Sequence, residues 1–251
     1  MALIENRKGR DDGGYTRLFG DSLLGQLLSR VQSAVIASDS ELERFVIEHT
    51  STLDDVDAFL DMDIIPEGVF VAPKKVLKKS KLINYADVEP DFVVFERKGK
   101  KHHCYLIELK DGDTFDTKKA AGERASLHRF MTAISPYIQF STSVHFCCFH
   151  RDTRTEIVKG FKHKITANEA MTGREFSSLL GIDYDAIITK RTQHQQRNFD
   201  CFIDTLLENP AVLRALDVRI GETVNWDGFR KQPGLFDSGP VVTRRRSSRA
   251  V

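Results

Sequence analysis

Apolar residues recur at helical spacing at Leu23, Leu24, Leu27, Leu28, Val31 and Val35. That period predicts a helix opened by Asp21-Ser22. Ser38-Asp39-Ser40 interrupts it, and Ser40 followed three residues on by Glu43 reads as a capping box for a second helix to about His49. Residues 52–66 are acidic and irregular, with room for a short helix, and Gly68 to Ala72 reads as a strand. Two apolar runs follow, EPDFVVFE and HCYLIELK, joined by the polar stretch RKGKKH. Asp111-Gly112-Asp113 marks a turn. A helix is expected from about Asp116 to Ala133, stopped by Ser135-Pro136. SVHFCCFH, ending at His150, reads as a strand apolar on both faces, and EIVKGFKHKI as another short strand region. Thr172 to Leu180 and Gln193 to Leu207 read as helices ended by Gly181 and Asn209-Pro210, and residues 210–230 as mixed, with one more short helix. Helices, three strands, then helix, strand and helix predict an α/β fold with a central sheet covered by helices. Residues 1–15 are charged and without period, and read as a disordered N-terminal segment. Residues 16–231 read as a single domain, and 232–251 as a loose basic tail.

The two apolar runs carry the chemistry. A hairpin turning at Gly99-Lys100 sets Lys98 opposite Lys101 and, further down the ladder, Asp91 opposite Glu108. Opposed side chains of an antiparallel pair have Cβ atoms about 4.5–5.5 Å apart. Two carboxylates at that distance repel unless a cation lies between them, and a hard divalent ion with oxygen ligands suits the place. Lys110, two residues past Glu108, projects from the same face. An acid-x-Lys triplet alone is weak, because Glu96-Arg97-Lys98 and Asp116-Thr117-Lys118 match it too. Neither of those lies within an apolar strand with an upstream acid in register.

Composition narrows the alternatives. Hydrophobic content of 41% and charged content of 29% are ordinary for a soluble globular chain. No apolar run approaches the roughly 20 residues that span a bilayer, and no signal-peptide core is present, so no membrane contact and a cytoplasmic location are expected. Cys104, Cys147, Cys148 and Cys201 lack CxxC spacing and read as free thiols, not a zinc site. The net charge of +1 gives no whole-molecule attraction to nucleic acid. Its distribution is more telling. Lys74, Lys75, Lys78, Lys79 and Lys81 crowd the approach to the hairpin, where they are candidate phosphate contacts. Arg244, Arg245, Arg246 and Arg249 read as part of a solvated tail.

Pro90-Asp91 followed by Glu108-x-Lys110 on adjacent strands, with a helix before and a helix and strand after, resembles the PD-(D/E)XK nuclease superfamily. Within it the chain looks most like a type II restriction endonuclease. GQLLSRVQSAVIASDSELE, EPDFVVFE and ELKDGDTFDTKK support the likeness, which covers roughly residues 20–165. The resemblance implies a restriction-endonuclease-like αβββαβ core, with a central mixed sheet and extra C-terminal helices. It implies Mg²⁺ bound by Asp91, Glu108 and the backbone carbonyl of Leu109, with Lys110 orienting or activating the attacking water. An acid from the preceding helix, Glu43 or Glu41, would join the metal. Lys118 and Lys119, at the head of the next helix, would meet a phosphate.

The expected function is Mg²⁺-dependent hydrolysis of double-stranded DNA at a short sequence. A palindromic target matches a homodimer, and Phe199, Phe202, Ile203, Leu206 and Leu207 offer apolar surface for one. Two other readings stay open on the same fold: a structure-specific DNA-repair or junction-resolving nuclease, and a non-catalytic DNA-binding module.

Overall fold

A computed structural model describes residues 2–83, 89–110 and 117–223. The expected turn at Asp111–Asp113, Asp116, the side chain of Lys118 and the tail from 232 lie outside the described residues. The chain falls into two compact units, Met1–Phe202 and Ile203–Val251.

In the first unit the helices α1 (Gly14–Phe19), α2 (Ser22–His49) and α3 (Val56–Leu60) precede β1 (Gly68–Pro73) and the short α4 (Lys74–Leu77). The hairpin strands β2 (Phe92–Lys98) and β3 (Lys101–Lys110) follow, then α5 (Thr117–Ile134), β4 (Ser141–Cys148), α6 (Arg154–Gly160) and β5 (Ala170–Thr172). Helices α7 (Gly173–Leu180) and α8 (Tyr184–Leu207) complete it, α8 running on into the second unit, which also holds α9 (Pro210–Thr223). The five strands form one mixed sheet in the order β1-β2-β3-β4-β5. The β1–β2 and β2–β3 pairs are antiparallel, and β3–β4 and β4–β5 are parallel. The parallel β3–β4 pair requires a crossover, and α5 supplies it.

The hairpin register is the one the sequence predicts, running from Lys98↔Lys101 to Phe92↔Ile107. Gly99 holds φ 56 at the first loop position, a left-handed conformation that glycine adopts without steric cost. One face of the sheet packs Val93, Phe95, Leu106, Val144 and Phe146 against Leu127, Phe130 and Ile134 of α5. The other packs Phe92, Val94, Ile107 and Cys147 against Leu42 and Val46 of α2, Phe176 of α7 and Ile187 of α8.

Three sequence expectations change. First, α2 is one helix of 28 residues with no break at Ser38–Ser40. The Ser38 hydroxyl bonds the Ala34 carbonyl one turn back at 2.9 Å, so the serine is satisfied inside the helix instead of competing with it. The start is as expected, since Asp21 accepts from the Leu24 N–H at 2.8 Å. Second, residues 156–165 are not a strand. Thr153 and Glu156 form a reciprocal capping box that opens α6, and Ile157 and Phe161 bury one face. Third, residues 2–4 are packed, not loose. Ala2 and Ile4 cluster with Ala34, Cys201 and Phe202. The Asn198 amide accepts from the Ile4 N–H and donates to the Ala2 carbonyl, both at 2.8 Å.

Candidate active site

Beyond the last ladder pair, Phe92↔Ile107, the next opposed positions are Asp91 and Glu108. They share a face with Val93 and Leu106, the face that α5 covers. Asp91 Oδ2 accepts from the Leu109 N–H at 2.8 Å, which fixes the carboxylate at the mouth of the hairpin. Lys110 Nζ donates to Glu108 Oε1 at 2.8 Å and lies 3.0 Å from Glu123 Oε2 on α5.

Burial, and then the charge of Glu43, pushes the Asp91 carboxyl above its usual pKa, against the Leu109 hydrogen bond. Burial and the neighbouring Asp91 do the same for Glu108, against Lys110. Burial acts to lower the Lys110 ammonium, but Glu108 and then Glu123 outweigh it and hold its pKa above the ordinary lysine value. Two acids are therefore held where ionising both is unfavourable, beside a lysine held charged.

Glu43 of α2 is among the charges that raise the Asp91 pKa. Glu41 sits elsewhere, 3.6 Å from Arg44 and 4.0 Å from His194, in a groove between α2 and α8. Lys74 is near: its N–H donates to the Asp91 carbonyl at 3.0 Å, and its charge lowers the Asp91 pKa. Lys75 and Lys79 are exposed on and just after α4. Lys78 faces Glu89 at 3.6 Å, and the Lys81 N–H bonds Asp57 Oδ2 at 2.6 Å. Lys119 is exposed, 3.8 Å from Glu123.

Glu123 is not among the residues the hairpin pattern points to. Its signal was available in α5, where Ala120, Leu127, Phe130 and Ile134 form a buried stripe and Glu123 falls on the same face. A carboxylate at a core-facing position needs a partner.

Among the described residues no group of three or more His, Cys, Asp and Glu is arranged to hold a metal ion. The donor set is instead the two carboxylates of Asp91 and Glu108, the first held by the Leu109 N–H. That suits a hard cation such as Mg²⁺, which takes one or two carboxylates and completes its shell with water and phosphate oxygens.

A similar protein of known function is the type II restriction enzyme HhaII of Haemophilus parahaemolyticus. It is 38% identical over 222 residues, covering 84% of this chain and 96% of the relative. The chain belongs to the type II restriction enzymes. This restriction enzyme is thus a site-specific deoxyribonuclease, and a DNA-cleaving reading of the site agrees with its family. No protein-family model and no solved structure matches it. No described helix is long and apolar enough to cross a membrane.

Proposed function

We propose that this restriction enzyme hydrolyses phosphodiester bonds of double-stranded DNA at a short specific sequence, through a PD-(D/E)XK site that takes Mg²⁺. The observation that carries the reading is the opposed pair Asp91 and Glu108, with the Lys110 ammonium 2.8 Å from one of them. Asp91, Glu108 and the Leu109 carbonyl would hold the ion, with Glu43 reaching it directly or through water. The bound ion would polarise the scissile phosphate and make a coordinated water more acidic. Asp91 is oriented through the Leu109 N–H, which leaves its second oxygen to the metal. Lys110 stays charged, so it acts as a donor that orients the attacking water and offsets charge on the phosphorane, not as the base. Attack in line would leave a 5′-phosphate and a 3′-hydroxyl.

Lys74, Lys75, Lys78, Lys79 and Lys81 would contact phosphates ahead of the hairpin, with Lys118 and Lys119 at the head of α5. A homodimer would present two sites across a two-fold axis to a palindrome. Phe199, 60% exposed, and Leu207, 45% exposed, are free to join such an interface. Phe202 packs with Ala2, Ile4 and Ala34 instead.

Digestion of plasmid DNA with and without Mg²⁺ tests the reading. Discrete bands with Mg²⁺ are expected, and none from Asp91→Ala or Glu108→Ala. Near-normal cutting by Asp91→Ala would refute the site. Cutting of branched DNA only would favour a junction resolvase, and binding without cutting a non-catalytic module.

A further inference from the structure

Lys110 Nζ lies between two carboxylates from different elements: Glu108 Oε1 at 2.8 Å in its own strand, and Glu123 Oε2 at 3.0 Å on α5. We infer that Glu123 is a positioning residue that keeps the Lys110 ammonium in place when Glu108 engages the metal, an inference that rests on the proposed role of Lys110. Glu108 cannot serve both cations equally. Glu108 engaged with a divalent ion would offer less charge to the neighbouring ammonium, which the ion would also repel. With no second anchor, Lys110 would retreat just when its charge is needed at the phosphate.

Glu123 supplies that anchor from outside the opposed pair. It sits in the buried stripe of α5 between Ala120 and Leu127, so its backbone is fixed by core packing. Both of its oxygens face lysines, Oε2 toward Lys110 at 3.0 Å and Oε1 toward Lys119 at 3.8 Å. That orientation suits an ammonium clamp better than a metal ligand.

A double-mutant cycle tests the clamp. Single-turnover cleavage of a supercoiled plasmid cut by the wild-type enzyme is measured across a Mg²⁺ titration for Glu123→Gln, Lys110→Ala and the double variant. Glu123→Gln should slow cleavage by roughly 10–100-fold, part of the loss typical for an acid–base or electrostatic group, with the Mg²⁺ half-saturation unchanged. In the Lys110→Ala background it should cost nothing more, because the group it holds is gone. The same cycle with Glu123→Met, apolar like the rest of the stripe, guards against a folding defect of the amide. Additive losses would overturn the inference by showing that Glu123 acts independently of Lys110. A shifted Mg²⁺ half-saturation would make it a ligand, and an unchanged rate would leave it no role. Wild-type cutting by Lys110→Ala would overturn the proposed role of Lys110 and this inference with it, whereas additive losses overturn the inference alone.

Discussion

Replacing Asp91 by Asn should abolish cleavage and yet make the metal-free protein more stable near pH 7. The side chain keeps its shape, and its amide oxygen can still accept from the Leu109 N–H, the bond seen at 2.8 Å. What it loses is a charge opposed to Glu108. At a separation of about 5 Å and an effective dielectric near 20, two unit charges repel by roughly 3 kcal/mol. Lys110 and Lys74 attract Asp91 and offset part of this, while Glu43 adds to the repulsion. A net gain of about 1–2 kcal/mol corresponds to a melting point higher by roughly 2–8 °C for a domain of this size. The pH dependence has a definite sign. The Asp91 pKa is raised by folding, so the wild-type carboxyl favours the fold below its unfolded value of about 3.9 and loses that advantage as pH rises through the folded value. Asn does not titrate, so the gap between the two proteins should be widest at neutral pH and close toward the ordinary carboxylate range. Mg²⁺ should reverse the order, because it stabilises only the protein that binds it, by about 2.7 kcal/mol at a hundredfold excess over Kd. Thermal melts in chelator and in Mg²⁺, from pH 7 downward, check each part. An Asn variant that melts below wild type in chelator at pH 7, or a gap that does not narrow with acid, would refute the reasoning.

Lys110→Ala should lower the single-turnover rate by roughly two to four orders of magnitude, and a loss below tenfold would reduce the residue to a structural part. Neutralising Lys75 and Lys79, both exposed, should weaken binding to specific and random DNA alike and flatten the salt dependence by about one unit of slope per lost contact. An unchanged slope in a salt titration would return them to plain surface. Light scattering of the enzyme on its site in Ca²⁺ should show two chains per duplex. A one-to-one complex that still makes double-strand breaks would exclude the dimer.

The hairpin was legible because its register depends on little more than a two-residue loop and period-two alternation, both local. Asp91, Glu108 and Lys110 fall into place once Gly99-Lys100 is taken as the turn. The strand β1 and the body of α5 were legible from local pattern as well. Where local signals competed, sequence misled. Ser38 looks like a breaker until its hydroxyl is seen bonding back to Ala34, and Ile157 and Phe161 suit strand or helix until Thr153 is recognised as the cap. The three-residue β5 has too little sequence to announce itself. Placing Glu43 within reach of the Asp91 charge needed the rotation of α2 about its own axis. Pairing Glu123 with Lys110 needed the crossover that lays α5 over the sheet. Both depend on tertiary placement, which periodicity within one element does not specify.

The continuity of α2 has a mechanical consequence. At 28 residues the helix is a strut about 42 Å long. Its first half is braced on the N-terminal residues at Ala34, and its second half is bolted to the sheet through Leu42 and Val46. Between the two braces lies Ser38, whose side chain is shared between the Ala34 carbonyl and the Ala2 N–H. Serines bonded back in this way soften and bend helices. A bend in α2 would thus fall at Ser38, about one turn before Glu43, between two stretches that are each held by packing.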